Sequence, residues 1–133
     1  MSKNEDKILL EHETKNIDEY LSVGGFKALK RAISMTPDAI IQEVKKSGLR
    51  GRGGAGFPTG AKWDSLYKYP SKKKYLCCNA AEGEPGTFKD RFIVKKNPYQ
   101  VIEGMAIGAY TIGAARSYMG IKVIFEEEIR RLA

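Results

Sequence analysis

Apolar residues along this chain recur at helical spacing in some stretches and as short consecutive runs in others, and the alternation divides it into elements. Ile17 to Leu21 predicts a helical turn, which Gly24-Gly25 breaks. Phe26, Leu29 and Ile33 fall on one side of a short helix predicted over 26–34. Ile40, Ile41 and Val44 repeat the spacing. Ahead of them Thr36-Pro37-Asp38 supplies an N-cap, a proline at the first helical position and an early acid, and Gly48 suits the C-cap.

Downstream, a helix is predicted from Thr59 or Gly60 to about Tyr69, with Trp63 and Leu66 packing inward. Pro70-Ser71 and Lys72-Lys73-Lys74 read as a solvated loop, and 75–79 as a short strand. A turn-rich segment follows, then a helix from about Asn97 into Ala115. Its Val101, Ile102, Met105, Ala106, Ala109 and Ile112 suit burial on most sides. Residues 118–125 read as a strand, and Glu126-Glu127-Glu128-Ile129-Arg130-Arg131 opens a last helix with acids in front and bases behind, matching the helix dipole. Strand, helix, strand, helix implies an α/β sheet. Residues 1–16 read as an extended polar arm with His12 solvated, and 17–133 as one domain or a piece of one.

Composition narrows this picture. A hydrophobic fraction of 42% sustains a modest core, and a net charge of +7 implies a basic, solvated surface. Nucleic-acid binding fits that charge and Lys72 to Lys74, but the aromatics are not interleaved with the bases and the charge is dispersed. No apolar run approaches the ~20 residues of a membrane span. Met1 to Lys7 lacks a secretory apolar stretch, so the cytoplasm is the expected location. Cys77 and Cys78 are adjacent, and strand neighbours point to opposite faces. They form no disulfide framework, and no Cys or His cluster suits a metal, so a buried, reduced pair is expected.

The candidate chemistry lies in Gly48-Leu-Arg-Gly-Arg-Gly-Gly-Ala-Gly-Phe-Pro-Thr-Gly60. Six glycines in thirteen positions, threaded with Arg50 and Arg52 and followed by Lys62, are not core filling. Glycine serves where backbone takes positive φ or approaches something closely. Bare N–H groups, cations and the start of a following helix make an anion cradle, and phosphate is the candidate ligand. Gly51, Gly53 and Gly56 match G-x-G-x-x-G, but that fingerprint needs a preceding strand and a helix is predicted there, so the ordinary dinucleotide reading fails. The P-loop pattern fails as well, leaving a helix–glycine-loop–helix cradle of another type. A flexible linker would favour Gly and Ser without Phe57, Pro58 and Trp63. Within the cradle Gly53 is the expected critical position, where valine would block both tight backbone and ligand approach.

A second segment, Asn79-Ala-Ala-Glu-Gly-Glu-Pro-Gly-Thr-Phe-Lys-Asp-Arg91, begins where the predicted strand ends, and ligands of open α/β sheets gather there. Asn79 donates and accepts hydrogen bonds, while Glu82 and Glu84 are acceptors for ligand hydroxyls or amides. The alternative is a surface loop closed by Lys89–Glu or Arg91–Glu pairs.

Together, 48–63 and 79–91 resemble the NADH-binding flavoprotein subunit of respiratory complex I, a subunit type also found in NAD-reducing hydrogenases and NAD-dependent formate dehydrogenases. The resemblance covers Ile17 to the C-terminus, including Ile17-Asp18-Glu19-Tyr20 and Gly24-Gly25-Phe26-Lys27-Ala28-Leu29. It implies a Rossmann-like FMN-binding domain. It places Gly51, Arg52, Gly53, Gly54, Lys62, Asn79, Glu82 and Gly83 at FMN, and Phe57 and Glu84 on the NADH side. The implied reaction is hydride transfer from NADH to FMN, with electrons leaving singly through iron–sulfur clusters. The implied partners are the remaining part of the subunit and a thioredoxin-like 2Fe–2S subunit, with any membrane reached only through a complex. Two departures stand out. The family commonly reads Asn-Ala-Asp-Glu where this chain has Ala81, and the chain stops at Ala133, before the family's later nucleotide segment and 4Fe–4S ligands. A complete FMN–NADH site is therefore not expected from this chain alone. A stand-alone flavin or nucleotide module without turnover is the alternative.

Overall fold

The computed structural model describes residues 12–133. In chain order these form α1 (Ile17–Ser22), α2 (Lys27–Ala32), α3 (Pro37–Ser47), α4 (Thr59–Lys68), β1 (Lys74–Ala80), α5 (Lys89–Lys96), α6 (Pro98–Ile112), β2 (Ala114–Ile121) and α7 (Glu126–Leu132). Local signals fix α3 as expected. The Thr36 side chain accepts from the Ala39 amide, Pro37 opens the helix, and Gly48 ends it at φ 70°.

Helix α6 is the hub, packing on α2, α3, α4, α5, α7 and both strands. Small residues admit these neighbours. A Cβ at Gly108 would come within 2.9 Å of the Leu76 side chain and 3.2 Å of the Trp63 ring. At Gly60 it would meet the Lys45 backbone at 2.7 Å, so α3 and α4 touch through backbone. The buried face of α6 is not the expected apolar one alone, for it includes Glu103, Gly108 and Thr111, while Ile102 is exposed. Leu66 of α4 and Ile33 after α2 are exposed too, Leu66 at the lining of an open cavity beside α6.

Glu103 explains a helix that has no cap of its own. Phe26 precedes α2 in the left-handed region at φ 59° and offers no capping side chain. The Glu103 carboxylate substitutes from α6, accepting from the Phe26 and Leu29 amides at 2.9 Å each and from the Tyr20 hydroxyl. Burial, and then the carboxylate beside it, push the Tyr20 hydroxyl pKa well above its ordinary range. The Tyr20 ring packs edge-on to Phe26 and stacks on Tyr99.

Strands β1 and β2 pair in parallel, with Cys77 opposite Tyr118, Asn79 opposite Gly120 and Ala80 opposite Ile121. The second strand starts four residues earlier than its hydrophobicity predicts and stops four earlier. Gly113, at φ 68°, turns the chain straight from α6 into pairing with Lys74, while Val123 and Ile124 project from a turn after the last pair. Leu76, Cys78 and Ala80 alternate inward, and Tyr75, Cys77 and Asn79 outward. The two thiols are therefore not both buried. Cys77 is exposed, and burial raises the pKa of the half-buried Cys78. Helix α5, inside the segment expected to be turn-rich, has no N-cap side chain of its own and takes its cap from elsewhere.

Residues 12–16 form no helix or strand. His12 is exposed, and Thr14 is buried, with Arg131 donating to its carbonyl. The rest of the expected arm, 1–11, lies outside the described residues. Among the described residues no helix is long and apolar enough to cross a membrane.

Candidate functional site

The glycine segment folds into a loop closed at its base. The Gly51 amide donates to the Phe57 carbonyl and the Thr59 amide to the Leu49 carbonyl, both at 2.9 Å. Arg50 Nε donates to the Gly56 carbonyl at 2.5 Å, pinning the loop from within. The loop leaves the left-handed cap of α3 and enters α4, the expected helix–loop–helix order. Positive φ falls at Gly54 (119°) and Gly56 (60°) and not at Gly53, where an added Cβ would meet nothing within 4 Å. The backbone argument made for Gly53 thus belongs to Gly54 and Gly56. At Gly53 neither backbone conformation nor packing requires glycine.

The second segment continues from the carboxyl end of β1. Asn79 Oδ1 accepts from the Ala81 amide at 3.0 Å, leaving its Nδ2 to donate elsewhere. Glu82 is buried and left-handed at φ 46°. Its carboxylate accepts from the Asp90 and Arg91 amides at 2.8 and 3.3 Å, and this is the cap that α5 lacks. Its carbonyl accepts from Lys122 Nζ at 2.9 Å. The Thr87 amide and hydroxyl both donate to the Glu84 carbonyl, closing the turn through Gly86. The alternative closure by Lys89–Glu or Arg91–Glu pairs does not form: Lys89 pairs with Asp90 and Glu82 serves backbone amides.

These segments, remote in sequence, enclose a polar cavity of about 490 Å³. Arg52 and Gly53 stand on one side, and Asn79, Ala81, Glu82, Gly83 and Glu84 on the other. Gly51, Phe57 and Lys62 line a neighbouring, more apolar cavity of about 590 Å³ with Trp63, Tyr75 and Cys77. Gly54 lines a third of about 680 Å³, which shares Arg52 and Glu84 with the first. All three lie in the size range of ligand sites. The predicted residues therefore cluster around one loop but divide among adjoining cavities. Arg52 and Lys62 are exposed and join none of the ion pairs among the described residues, so their charges are available to an anion. Glu82 differs, because its carboxylate is already spent on α5. Arg50, expected among the cradle's cations, is instead turned inward to pin the loop, and nothing local in the sequence marks Lys122.

With this geometry the Nuo51 FMN-binding domain family matches the chain over residues 44–133. One NADH-quinone oxidoreductase subunit of Rhizobium meliloti (strain 1021) is 54% identical over 117 residues, spanning 87% of this chain and 28% of that protein. The NADP-reducing hydrogenase subunit HndC of Solidesulfovibrio fructosivorans is 44% identical over 120 residues, covering 90% and 24%. In structure, an NAD+-reducing [NiFe]-hydrogenase in its air-oxidized state superposes with a TM-score of 0.75 at 37% identity, over 91% of this chain and 22% of that one. The chain thus spans roughly a quarter of the length of each of these relatives. Its mixed helix–strand order, parallel pairing and glycine loop agree with the Rossmann-like FMN-binding fold expected of it, and the chain belongs to the Nuo51 FMN-binding domain family.

Proposed function

We propose that this chain is the N-terminal FMN-binding portion of an NADH dehydrogenase flavoprotein subunit. The observation that carries the reading is the polar cavity, in which Arg52 and Gly53 face Asn79 to Glu84 although the segments are separate in sequence. The residues suit FMN. Gly53 and Gly83 present bare backbone with open space at the Cβ position, and Arg52, in no ion pair among the described residues, offers its guanidinium to a phosphate. Asn79 Nδ2 and the Gly83 backbone can meet polar edges of a planar ring. Gly51, Gly54 and Lys62 extend the binding surface into the adjoining cavities, and the Glu82 backbone shapes the turn. Phe57 supplies an exposed apolar face, and Glu84 a carboxylate, on the side assigned to NADH.

When bound, FMN supplies the hydride acceptor for NADH and a route for single electrons to iron–sulfur clusters. The chain's own contribution is to bind and orient. In this reading 17–133 belongs to the FMN/NADH-binding domain with 1–16 as its arm, and turnover requires the remaining part of the subunit, which carries the 4Fe–4S ligands. A thioredoxin-like 2Fe–2S subunit is the next partner. The assembly is cytoplasmic and meets a membrane only through its complex.

Fluorescence titration of the chain with FMN and with riboflavin tests this. FMN is expected to bind, with riboflavin at least tenfold weaker because it lacks the phosphate. Arg52→Ala is expected to weaken FMN about tenfold or more, the loss of one charge-assisted hydrogen bond of about 1.5–3 kcal/mol. Equal affinity for the two flavins, or no binding of FMN, would contradict the reading.

A further inference from the structure

We infer that Lys122 is a positioning residue for the polar cavity: it holds the Glu82 carbonyl and thereby fixes the left-handed turn that forms one wall. The inference rests on the flavin reading for its ligand and on geometry for its mechanism. Glu82 takes φ 46°, a conformation that non-glycine residues rarely adopt. Such a conformation persists only where surrounding contacts over-determine it. Two of the contacts come from nearby α5, whose Asp90 and Arg91 amides bind the carboxylate. The third comes from Lys122, 40 residues away, at 2.9 Å from the carbonyl.

The parallel register explains how so distant a residue reaches the turn. Ala80 and Ile121 are the last paired residues of β1 and β2, so 81–82 and Lys122 leave the sheet side by side at its carboxyl end. The buried Phe125 ring steadies the arrangement, with the Lys122 ammonium 6.0 Å and the Arg91 guanidinium 5.8 Å from its centre. One ring thus stands beside both the Lys122 ammonium and the side chain of Arg91, whose amide caps onto Glu82. Losing the ammonium would leave the Glu82 carbonyl without its donor and free the turn to relax. The wall formed by Ala81, Glu82, Gly83 and Glu84 would lose its shape, while the glycine loop, held by its own bonds, would stay.

Lys122→Met keeps the stem and removes the charge, and Lys122→Arg restores a donor. The measurements are amide hydrogen exchange along the chain and the FMN dissociation constant. In Lys122→Met, exchange at Asp90 and Arg91 is expected to accelerate about tenfold or more and FMN affinity to fall about tenfold. Exchange at Gly51 and Thr59 should stay at the wild-type rate, and Lys122→Arg should recover most of both effects. Wild-type exchange at Asp90 and Arg91 in Lys122→Met, or acceleration spread uniformly over the chain, would overturn the positioning role. Selective acceleration with unchanged FMN affinity would overturn its link to the cofactor. A wild-type chain that binds no FMN refutes the flavin reading, and the exchange rates then decide the clamp by themselves.

Discussion

Glu103→Ala is expected to lower the stability of the chain by about 3 kcal/mol or more, read as a shift of the urea midpoint at unchanged slope. The carboxylate is 6% exposed and accepts from the Tyr20 hydroxyl and the Phe26 and Leu29 amides. Alanine strands all three donors, each at a cost of about 1–3 kcal/mol when buried. Against a total of about 5–15 kcal/mol for a domain, that loss brings the chain close to unfolding. Tyr20→Phe removes one donor and its bond together, so it should cost much less. If Glu103→Ala falls within about 1 kcal/mol of wild type, α2 does not depend on its remote cap.

Gly54→Val should abolish most FMN binding while leaving stability nearly unchanged. Gly54 adopts φ 119°, which a β-branched residue enters only at a cost of roughly 1–3 kcal/mol. The loop is exposed and an added Cβ meets nothing within 4 Å, so the chain relieves the strain by reshaping the loop rather than by unfolding. Isothermal titration should show affinity down at least tenfold with the melting temperature within a few degrees. Gly53→Ala supplies the contrast, because its backbone carries no such strain. It should lower affinity only if ligand approaches that Cα closely. Undiminished FMN binding in Gly54→Val would place the cradle elsewhere.

The parts of this fold that were legible in the sequence are those decided locally. Thr36, Pro37 and Gly48 bound α3 because caps act within one helical turn. The helix–glycine-loop–helix order was legible for the same reason, as was the strand that delivers Asn79. What escaped was decided by contacts across the chain. Helix α5 is capped by Glu82 from the preceding loop, so Lys89-Asp90-Arg91 looked like surface turn. The bounds of β2 follow from pairing with Lys74 to Ala80 and not from its own hydrophobicity. Glu103, a charge amid the apolar residues of α6, gave no sign that its partners were 74 to 83 residues away. Cys77 is exposed because the strand's alternation turns it outward while Leu76 and Cys78 turn inward.

The candidate site divides in the same way. Its two segments stood out by residue type, but their partition among adjoining cavities did not. Phe57 and Lys62 line one cavity while Asn79 and Gly83 line another. Glu82 carried the right chemistry for a ligand and is instead engaged by backbone, which only the position of α5 reveals.

Two-dimensional amide NMR of the chain during FMN titration tests the central claim most directly. The claim predicts large, saturable shifts at Gly53, Gly54, Ala81, Gly83 and the Asn79 side-chain amide, with little change at Ile41 and Thr111 in the core. Saturable shifts centred instead on the cavity beside Tyr20 and Gly104, or none at either segment, would contradict it.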